Sequence, residues 1–157
     1  LERLLKEIKD AEGAPFDLLM LMPKSYYYHT NNLSSFTEWG FKFQDSVDDA
    51  GKLGVDYASG FRCMQYESCR GLEGYTVICH WFDEYLETNY NGYTRNLELE
   101  DMLTDEEAKM RYVSNLLFMP TSRAIKKLVI TLKDKNSKFG KLLYESKKIN
   151  PDFISAS

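Results

Sequence analysis

Short apolar runs, separated by polar or amphipathic segments, set the pattern of this chain. Nearly uninterrupted runs stand at Phe16–Met22, Tyr75–Trp81 and Leu128–Leu132. Continuous apolar runs of this length are typical of strands buried on both faces, as in a parallel sheet. Two shorter stretches, Phe41–Phe43 and Arg62–Tyr66, are also predicted as strands.

Helical spacing of apolar residues marks several of the intervening segments. The first such set is Leu1, Leu4, Leu5 and Ile8. Residues 31–39 predict a short helix that Gly40 closes. Residues 45–60 are polar and predict a loop. A helix is expected to begin at Asp83 and to give way to irregular chain at 88–98.

The strongest helix signal begins at Thr104. Thr104 and Glu107 match a capping box, in which each side chain accepts a hydrogen bond from the other residue's backbone amide. Pro120 lacks a backbone donor, so we expect it to end or kink this helix. Another helix is expected around Phe139, in a basic C-terminal segment.

Helices that alternate with buried strands predict an α/β domain with a mainly parallel sheet and helices on both faces. The 157 residues suit one domain, which we place at residues 1–135, followed by a basic helix or tail at 136–157. Because the chain opens on Leu1, we interpret it as a piece of a longer protein.

Net charge, apolar run length and cysteine spacing each argue against particular classes of protein. A net charge of -4 and a pI of about 5.3 argue against a free-standing nucleic-acid-binding protein, although they allow local phosphate contacts. No apolar run is long enough for a membrane span. The three cysteines lack the spacing of a disulfide framework or a zinc site, which indicates reduced, buried thiols and a cytoplasmic setting.

Two short polar motifs adjoin predicted strands. Arg70–Glu73, with the sequence Arg-Gly-Leu-Glu, lies between the strand at 62–66 and the apolar run at 75–81. Thr121–Ala124, with the sequence Thr-Ser-Arg-Ala, follows the long helix and precedes the last strand. Open α/β sheets bind ligands at strand ends, and arginine suits phosphate because its charge is permanent and its donors form a fork.

This pair of motifs resembles the fifth and sixth motifs of the UvrD/Rep-type superfamily 1 DNA helicases. The fifth motif of that family is a Lys-Gly-Leu-Glu core between two strands, and the sixth is a helix that ends in Thr-Arg-Ala before a strand. The similarity covers roughly residues 1–132. It implies the second, C-terminal RecA-like domain, which is a three-layer α/β fold. Arg70 replaces the usual lysine, and Glu67 stands where many members have histidine.

The resemblance also implies a function: an ATP-dependent helicase that moves 3′ to 5′ on single-stranded DNA. Gly71, Leu72 and Glu73 would lie at the nucleotide, with Glu73 on the ribose. Arg123 would be the catalytic arginine finger at the γ-phosphate. This motor interpretation requires Arg123 to lie near Gly71 and Glu73 in the folded chain.

Single-stranded DNA would face Tyr66, Ser68 and Arg70 in the same family. The chain contains no phosphate loop, so the resemblance implies a second partner: an N-terminal RecA-like domain of the same parent chain, which would hold ATP with Mg²⁺. We therefore expect the isolated chain to be inactive as an ATPase.

The residues also allow other interpretations. Arg123 could be a solvated arginine that the helix C-terminal dipole favours, and Arg70 could form a surface ion pair with Glu73. Asp83 ends an apolar run as a magnesium ligand does in such enzymes, but we favour a helix N-cap. The fold could serve as a non-catalytic DNA-binding or protein-interaction module. A small hydrolase or transferase would lack a nucleophile elbow.

Overall fold

A computed structural model of the protein describes residues 6, 18–29, 35–38, 40–45, 61–94 and 102–149. In these residues one sheet has six strands in the order β2-β3-β4-β1-β5-β6. The strands are β1 (Leu18–Met22), β2 (Ser35–Glu38), β3 (Phe41–Asp45), β4 (Phe61–Gln65), β5 (Gly74–Cys79) and β6 (Ala124–Ile130). All neighbours are parallel except β2 and β3, which form an antiparallel pair at one edge.

Four α-helices with described bounds accompany the sheet. They are α1 (Lys24–His29), α2 (Phe82–Gly92), α3 (Asp105–Thr121) and α4 (Lys138–Ile149). A short 3₁₀ helix, Tyr66–Ser68, follows β4 directly. The capping box that the sequence predicts at the start of α3 is present, with Thr104 and Glu107 each accepting a backbone hydrogen bond from the other.

The central strand β1 divides the core into two clusters. Its five residues are fully buried, and their side chains alternate between the two faces of the sheet. On one face Leu19 and Leu21 pack with residues of α2, α3 and α4. On the other face Leu18, Met20 and Met22 pack with Tyr26 of α1 and with β3 and β4. The predicted α/β fold, with a mainly parallel sheet and helices on both faces, is therefore confirmed.

The strand predictions hold at the centre of the sheet and differ at its ends. Strands β1, β3, β4 and β5 lie where the apolar runs predict them, within a few residues. Strand β6 begins at Ala124, four residues earlier than predicted. The predicted helix at 31–39 is wrong for residues 35–38, which form β2. Gly40, with a φ of 77°, makes the turn that pairs β2 with β3.

Other predictions differ in length. Helix α2 continues to Gly92, so the predicted irregular segment is wrong for residues 88–92. Helix α4 packs on α2, and Phe139 is buried beside Tyr90, so this part of the predicted tail shares the domain core. Of the predicted first helix around residues 1–8 only Lys6 is described, and it is helical. The loop predicted at 45–60 is wrong for Asp45, which ends β3, and its remaining residues lie outside the described ranges. The three cysteines are free and buried, as expected.

Candidate nucleotide site

The segment between β4 and β5 carries the first motif across one face of the sheet. Strands β4 and β5 are parallel and flank β1, so residues 66–73 run from the carboxyl end of β4 to the amino end of β5. The 3₁₀ helix opens this crossover, and a hydrogen bond of 3.2 Å from the Leu72 amide to the Cys69 carbonyl closes a turn. Gly71 has a φ of 77° in that turn, a conformation that favours glycine.

The two motifs meet at the amino ends of β5 and β6. The backbone amide of Gly74 donates to the carbonyl oxygen of Arg123 at 3.1 Å. Gly74 also lies tightly against β1, because a Cβ atom there would be 3.0 Å from the Cβ of Leu19. The site that the motifs form is therefore at the amino edge of these strands and not at the carboxyl edge, where the general rule for open α/β sheets predicts it.

Arg123 is held at the C-terminal end of α3. Its Nε donates to the carbonyl of Met119 at 3.0 Å, and its backbone amide donates to Pro120 at 3.2 Å. Ser122 Oγ also donates to the Met119 carbonyl, at 3.1 Å. In the described part of the chain the terminal Nη groups of Arg123 make no hydrogen bond. The Nε contact therefore leaves the fork of two terminal nitrogens available for a ligand.

Pro120 lies in the last turn of α3, so the prediction that the helix ends at Pro120 holds to within one residue. The helix includes Pro120 and ends one residue later, at Thr121. A proline costs a helix the hydrogen bond to the carbonyl four residues earlier. Close to the helix end this loss affects one bond only, and the Thr121 hydroxyl donates to the nearby Leu117 carbonyl at 2.8 Å.

The charge of Arg123 acts on a thiol of the crossover. Burial raises the pKa of the Cys69 thiol, and the positive charge of Arg123 is the largest of the influences that oppose this rise. Arg70 acts in the same direction as Arg123. Both guanidinium groups thus favour the thiolate form of Cys69, and the hydrogen bond from the Gly74 amide to the Arg123 carbonyl places the Arg123 backbone beside the end of the crossover.

The motif residues differ in exposure. Arg70, Gly71 and Glu73 are exposed, whereas Leu72 is half-buried and packs against the core. Leu72 therefore anchors the crossover, while its neighbours face solvent. Among the described residues, the side chains of Arg70 and Glu73 form no ion pair with each other or with another group. The alternative interpretation as a surface ion pair is therefore wrong.

Tyr66 is not available for a base. Its side chain is fully buried, its hydroxyl donates to the His80 carbonyl at 2.9 Å, and its ring stacks on Tyr85 at 4.2 Å between centroids. The family resemblance implied a contact between Tyr66 and DNA, but the crossover turns the ring inward over the sheet. Ser68 and Arg70 are exposed and remain accessible.

Arg62 is a residue of this site that the sequence reasoning missed. It lies in β4, and its Nη2 donates to the backbone carbonyl of Glu73 at 2.9 Å. A charged residue between the apolar Phe61 and Cys63 was the available signal, because parallel strands buried on both faces rarely carry one.

Asp83 has a structural role that differs from the predicted one. Trp81 occupies the N-cap of α2, so Asp83 lies in the first turn of the helix and not at its cap. Its buried carboxylate accepts hydrogen bonds from the Lys133 amide at 2.8 Å, the Asp134 amide at 2.9 Å and the Ser137 hydroxyl at 3.3 Å. It therefore fixes the turn between β6 and α4.

Two negative findings concern the residues that the structure describes. No three His, Cys, Asp or Glu side chains come together there in a way that could hold a metal ion. No helix in those ranges has the length and apolar character that crossing a bilayer needs. Comparison of the chain with protein-family models, curated proteins and solved structures gives no match.

Proposed function

We propose that this chain is the C-terminal, second RecA-like motor domain of an ATP-dependent DNA helicase that moves 3′ to 5′ on single strands. The observation that carries the proposal is the hydrogen bond between the Gly74 amide and the Arg123 carbonyl. It joins two motifs that lie about fifty residues apart in the sequence and that resemble a helicase pair only when taken together.

The chemistry of the joined motifs suits a nucleoside triphosphate. The exposed Glu73 carboxylate would accept hydrogen bonds from ribose hydroxyls. The terminal nitrogens of Arg123 would donate to the γ-phosphate, where an arginine finger raises the hydrolysis rate by roughly 10³ to 10⁵. The backbone of Gly71 and the half-buried Leu72 would shape the crossover between these two groups.

This arrangement supplies one half of an ATP site. A partner domain with a phosphate loop would bind the triphosphate and its Mg²⁺, which fits the lack of a phosphate-loop sequence in the chain. We assign that role to an N-terminal RecA-like domain of the same parent protein. Opening and closing of the gap between the two domains would then follow the state of the nucleotide.

The proposed contact with single-stranded DNA is limited to exposed residues of the crossover. Ser68 and Arg70 can each donate to a phosphate oxygen, and they precede the nucleotide motif directly. Nucleotide and DNA would then contact the same short segment, so that movement of the crossover on ATP binding would shift the residues that contact the DNA. We leave Tyr66 out of this contact because its ring is buried.

The test is Arg123→Ala in the protein that joins this chain to its phosphate-loop domain. DNA-stimulated ATP hydrolysis should fall by about 10³-fold or more, while affinity for single-stranded DNA stays unchanged. Arg111→Ala is a matched control, because Arg111 is exposed on α3 and its side chain forms no hydrogen bond or ion pair within the described residues. Near-normal turnover in Arg123→Ala would remove the finger from the proposal.

A non-catalytic interaction module is the second candidate. The bond from Arg123 Nε to the Met119 carbonyl favours it, because an arginine that only caps a helix end makes the same bond. In that case Arg123→Ala would lower the stability of the domain by about 1 kcal/mol and leave nucleotide turnover as it is in Arg111→Ala. The same pair of variants therefore separates the two candidates.

A further inference from the structure

Arg62 stands at an unusual position for a charged residue. Its neighbours in register are Leu19 on β1 and Gln44 on β3, so it lies between two strands and not at a sheet edge. Residues in register on parallel strands point to the same face. Since Leu19 belongs to the cluster beneath the crossover, the side chain of Arg62 lies on the crossover face of the sheet.

The Arg62 side chain spans the width of β1. Strands β4 and β5 do not touch, because β1 lies between them. The bond of 2.9 Å from Arg62 Nη2 to the Glu73 carbonyl therefore ties β4 to the residue that directly precedes β5. Gly74 packs against Leu19 from the other side, which brings the end of the crossover down onto β1.

Both polar groups of one peptide unit are held in this way. The carbonyl of Glu73 accepts from Arg62, and the amide of Gly74, in the same peptide unit, donates to Arg123. A planar peptide whose two polar ends are fixed cannot rotate. The direction in which the Glu73 side chain leaves the backbone is therefore set by Arg62 on one side and by the Arg123 carbonyl on the other.

We propose that Arg62 is a positioning residue that aims the Glu73 carboxylate at the sugar hydroxyls of the bound nucleotide. The inference rests on the proposed function, which assigns the ribose contact to Glu73. Arginine suits the role because its guanidinium keeps its charge at any working pH and its planar fork holds a fixed geometry. A hydrogen bond from a charged donor is also stronger than a neutral one.

The experiment measures preference for the sugar. Binding constants for ATP and for 2′,3′-dideoxy-ATP, which lacks both hydroxyls, are compared in the protein that contains the phosphate-loop domain. The ratio of the two constants reports the hydroxyl contact, whereas a general loss of stability would weaken both ligands equally. Variants are Glu73→Gln, Arg62→Met, Arg62→Lys and the double variant Glu73→Gln/Arg62→Met, with Arg111→Met as the exposed control.

The inference predicts a loss of preference for ATP of roughly three- to tenfold in Arg62→Met, as expected for one hydrogen bond. Arg62→Lys should restore part of it, because the donor and its charge return. The double variant should lose no more than Glu73→Gln alone, since the two residues act through one carboxylate. Arg111→Met should behave as the parent protein does.

Two contrary outcomes are distinguishable. If Glu73→Gln abolishes the preference and Arg62→Met keeps it in full, Arg62 does not position Glu73 and the inference fails alone. If the parent protein binds both nucleotides equally well, Glu73 makes no sugar contact, and the proposed nucleotide role of the crossover fails with it. Hydrogen exchange at the Gly74 amide checks the fold of Arg62→Met: exchange should accelerate at this amide, while the amides of β1 stay protected.

Discussion

Gly140 offers a direct test of how α4 is seated, because local and tertiary effects of Gly140→Ala have opposite signs. Gly140 lies in the first turn of α4. By helix propensity alone, alanine should stabilise the protein by about 1 kcal/mol. In the folded chain, however, an added Cβ atom would overlap the backbone carbonyl oxygen of Asp134 and would lie 2.8 Å from Ser137 Oγ.

The Asp134 carbonyl cannot move away freely. Its turn is tied down by the buried Asp83 carboxylate, which accepts from the amides of Lys133 and Asp134 at 2.8 and 2.9 Å. Losing one such bond to a charged group costs about 1.5–3 kcal/mol, and overpacking adds about 1–3 kcal/mol. After subtraction of the gain in propensity, Gly140→Ala should lower the free energy of unfolding by about 1.5–5 kcal/mol.

Urea unfolding, followed by far-UV circular dichroism, measures this change. Gly92→Ala is the matched control, since Gly92 ends α2 with nothing within 4 Å of the added Cβ. We expect Gly92→Ala to remain within about 0.5 kcal/mol of the parent chain, as surface substitutions usually do. A Gly140→Ala protein as stable as the parent chain, with an unchanged m-value, would show that α4 does not approach the Asp134 carbonyl as described.

Three further outcomes follow from the described contacts. Thr104→Ala removes the capping box with Glu107 and should lower the free energy of unfolding, measured by thermal unfolding, by about 1 kcal/mol. Thr104→Ser retains the cap and is the control. A fall of equal size in both variants would argue against the capping role of Thr104. Burial lowers the pKa of His80 to about 4, below the value of about 6.5 in an unfolded chain. Between these pH values the unfolded chain therefore binds more protons than the folded chain, so the contribution of His80 to stability is full above pH 6.5 and falls as the pH drops. In His80→Asn the loss of unfolding free energy between pH 7 and pH 5 should be smaller by about 2 kcal/mol. Parallel profiles of stability against pH for the two proteins would contradict a lowered pKa of His80. Arg70→Ala should weaken binding of a fluorescent single-stranded oligonucleotide and reduce the dependence of log affinity on log salt concentration by about 1. Tyr66→Phe should leave this binding unchanged and cost about 1 kcal/mol of stability. Weaker binding in Tyr66→Phe than in Arg70→Ala would restore Tyr66 to the DNA contact.

Local sequence was sufficient where burial on both faces or a cap decides the structure. Five consecutive apolar residues at Leu18–Met22 have no polar side chain to present to water, so they fit the centre of a parallel sheet. Thr104 and Glu107 satisfy backbone donors within four residues of each other, and no distant part of the chain is needed for that. These features were predicted correctly because their energetics are local.

Predictions failed where the partner lies far away in the sequence. The segment at 35–38 became a strand because β3 pairs with it across the Gly40 turn, and helical spacing could not reveal that pairing. Asp83 looked like a helix cap because the sequence shows only its own helix. Its actual partners, the amides of Lys133 and Asp134, lie about fifty residues later.

The candidate site likewise combines residues that the sequence reveals with contacts that only the fold creates. The motif residues Arg70–Glu73 and Arg123 were named from the sequence, because their residue types and flanking apolar runs are visible there. Their meeting was decided by the strand order, which sets β5 beside β6 and so brings Gly74 to Arg123. The sequence marked Arg62 only as a charge between apolar residues and could not name its partner, since its bond to Glu73 exists only because β1 separates β4 from β5 by one strand width. The order of residues thus fixed which groups are present, and the order of strands, which depends on contacts between distant segments, decided which of them act on one another.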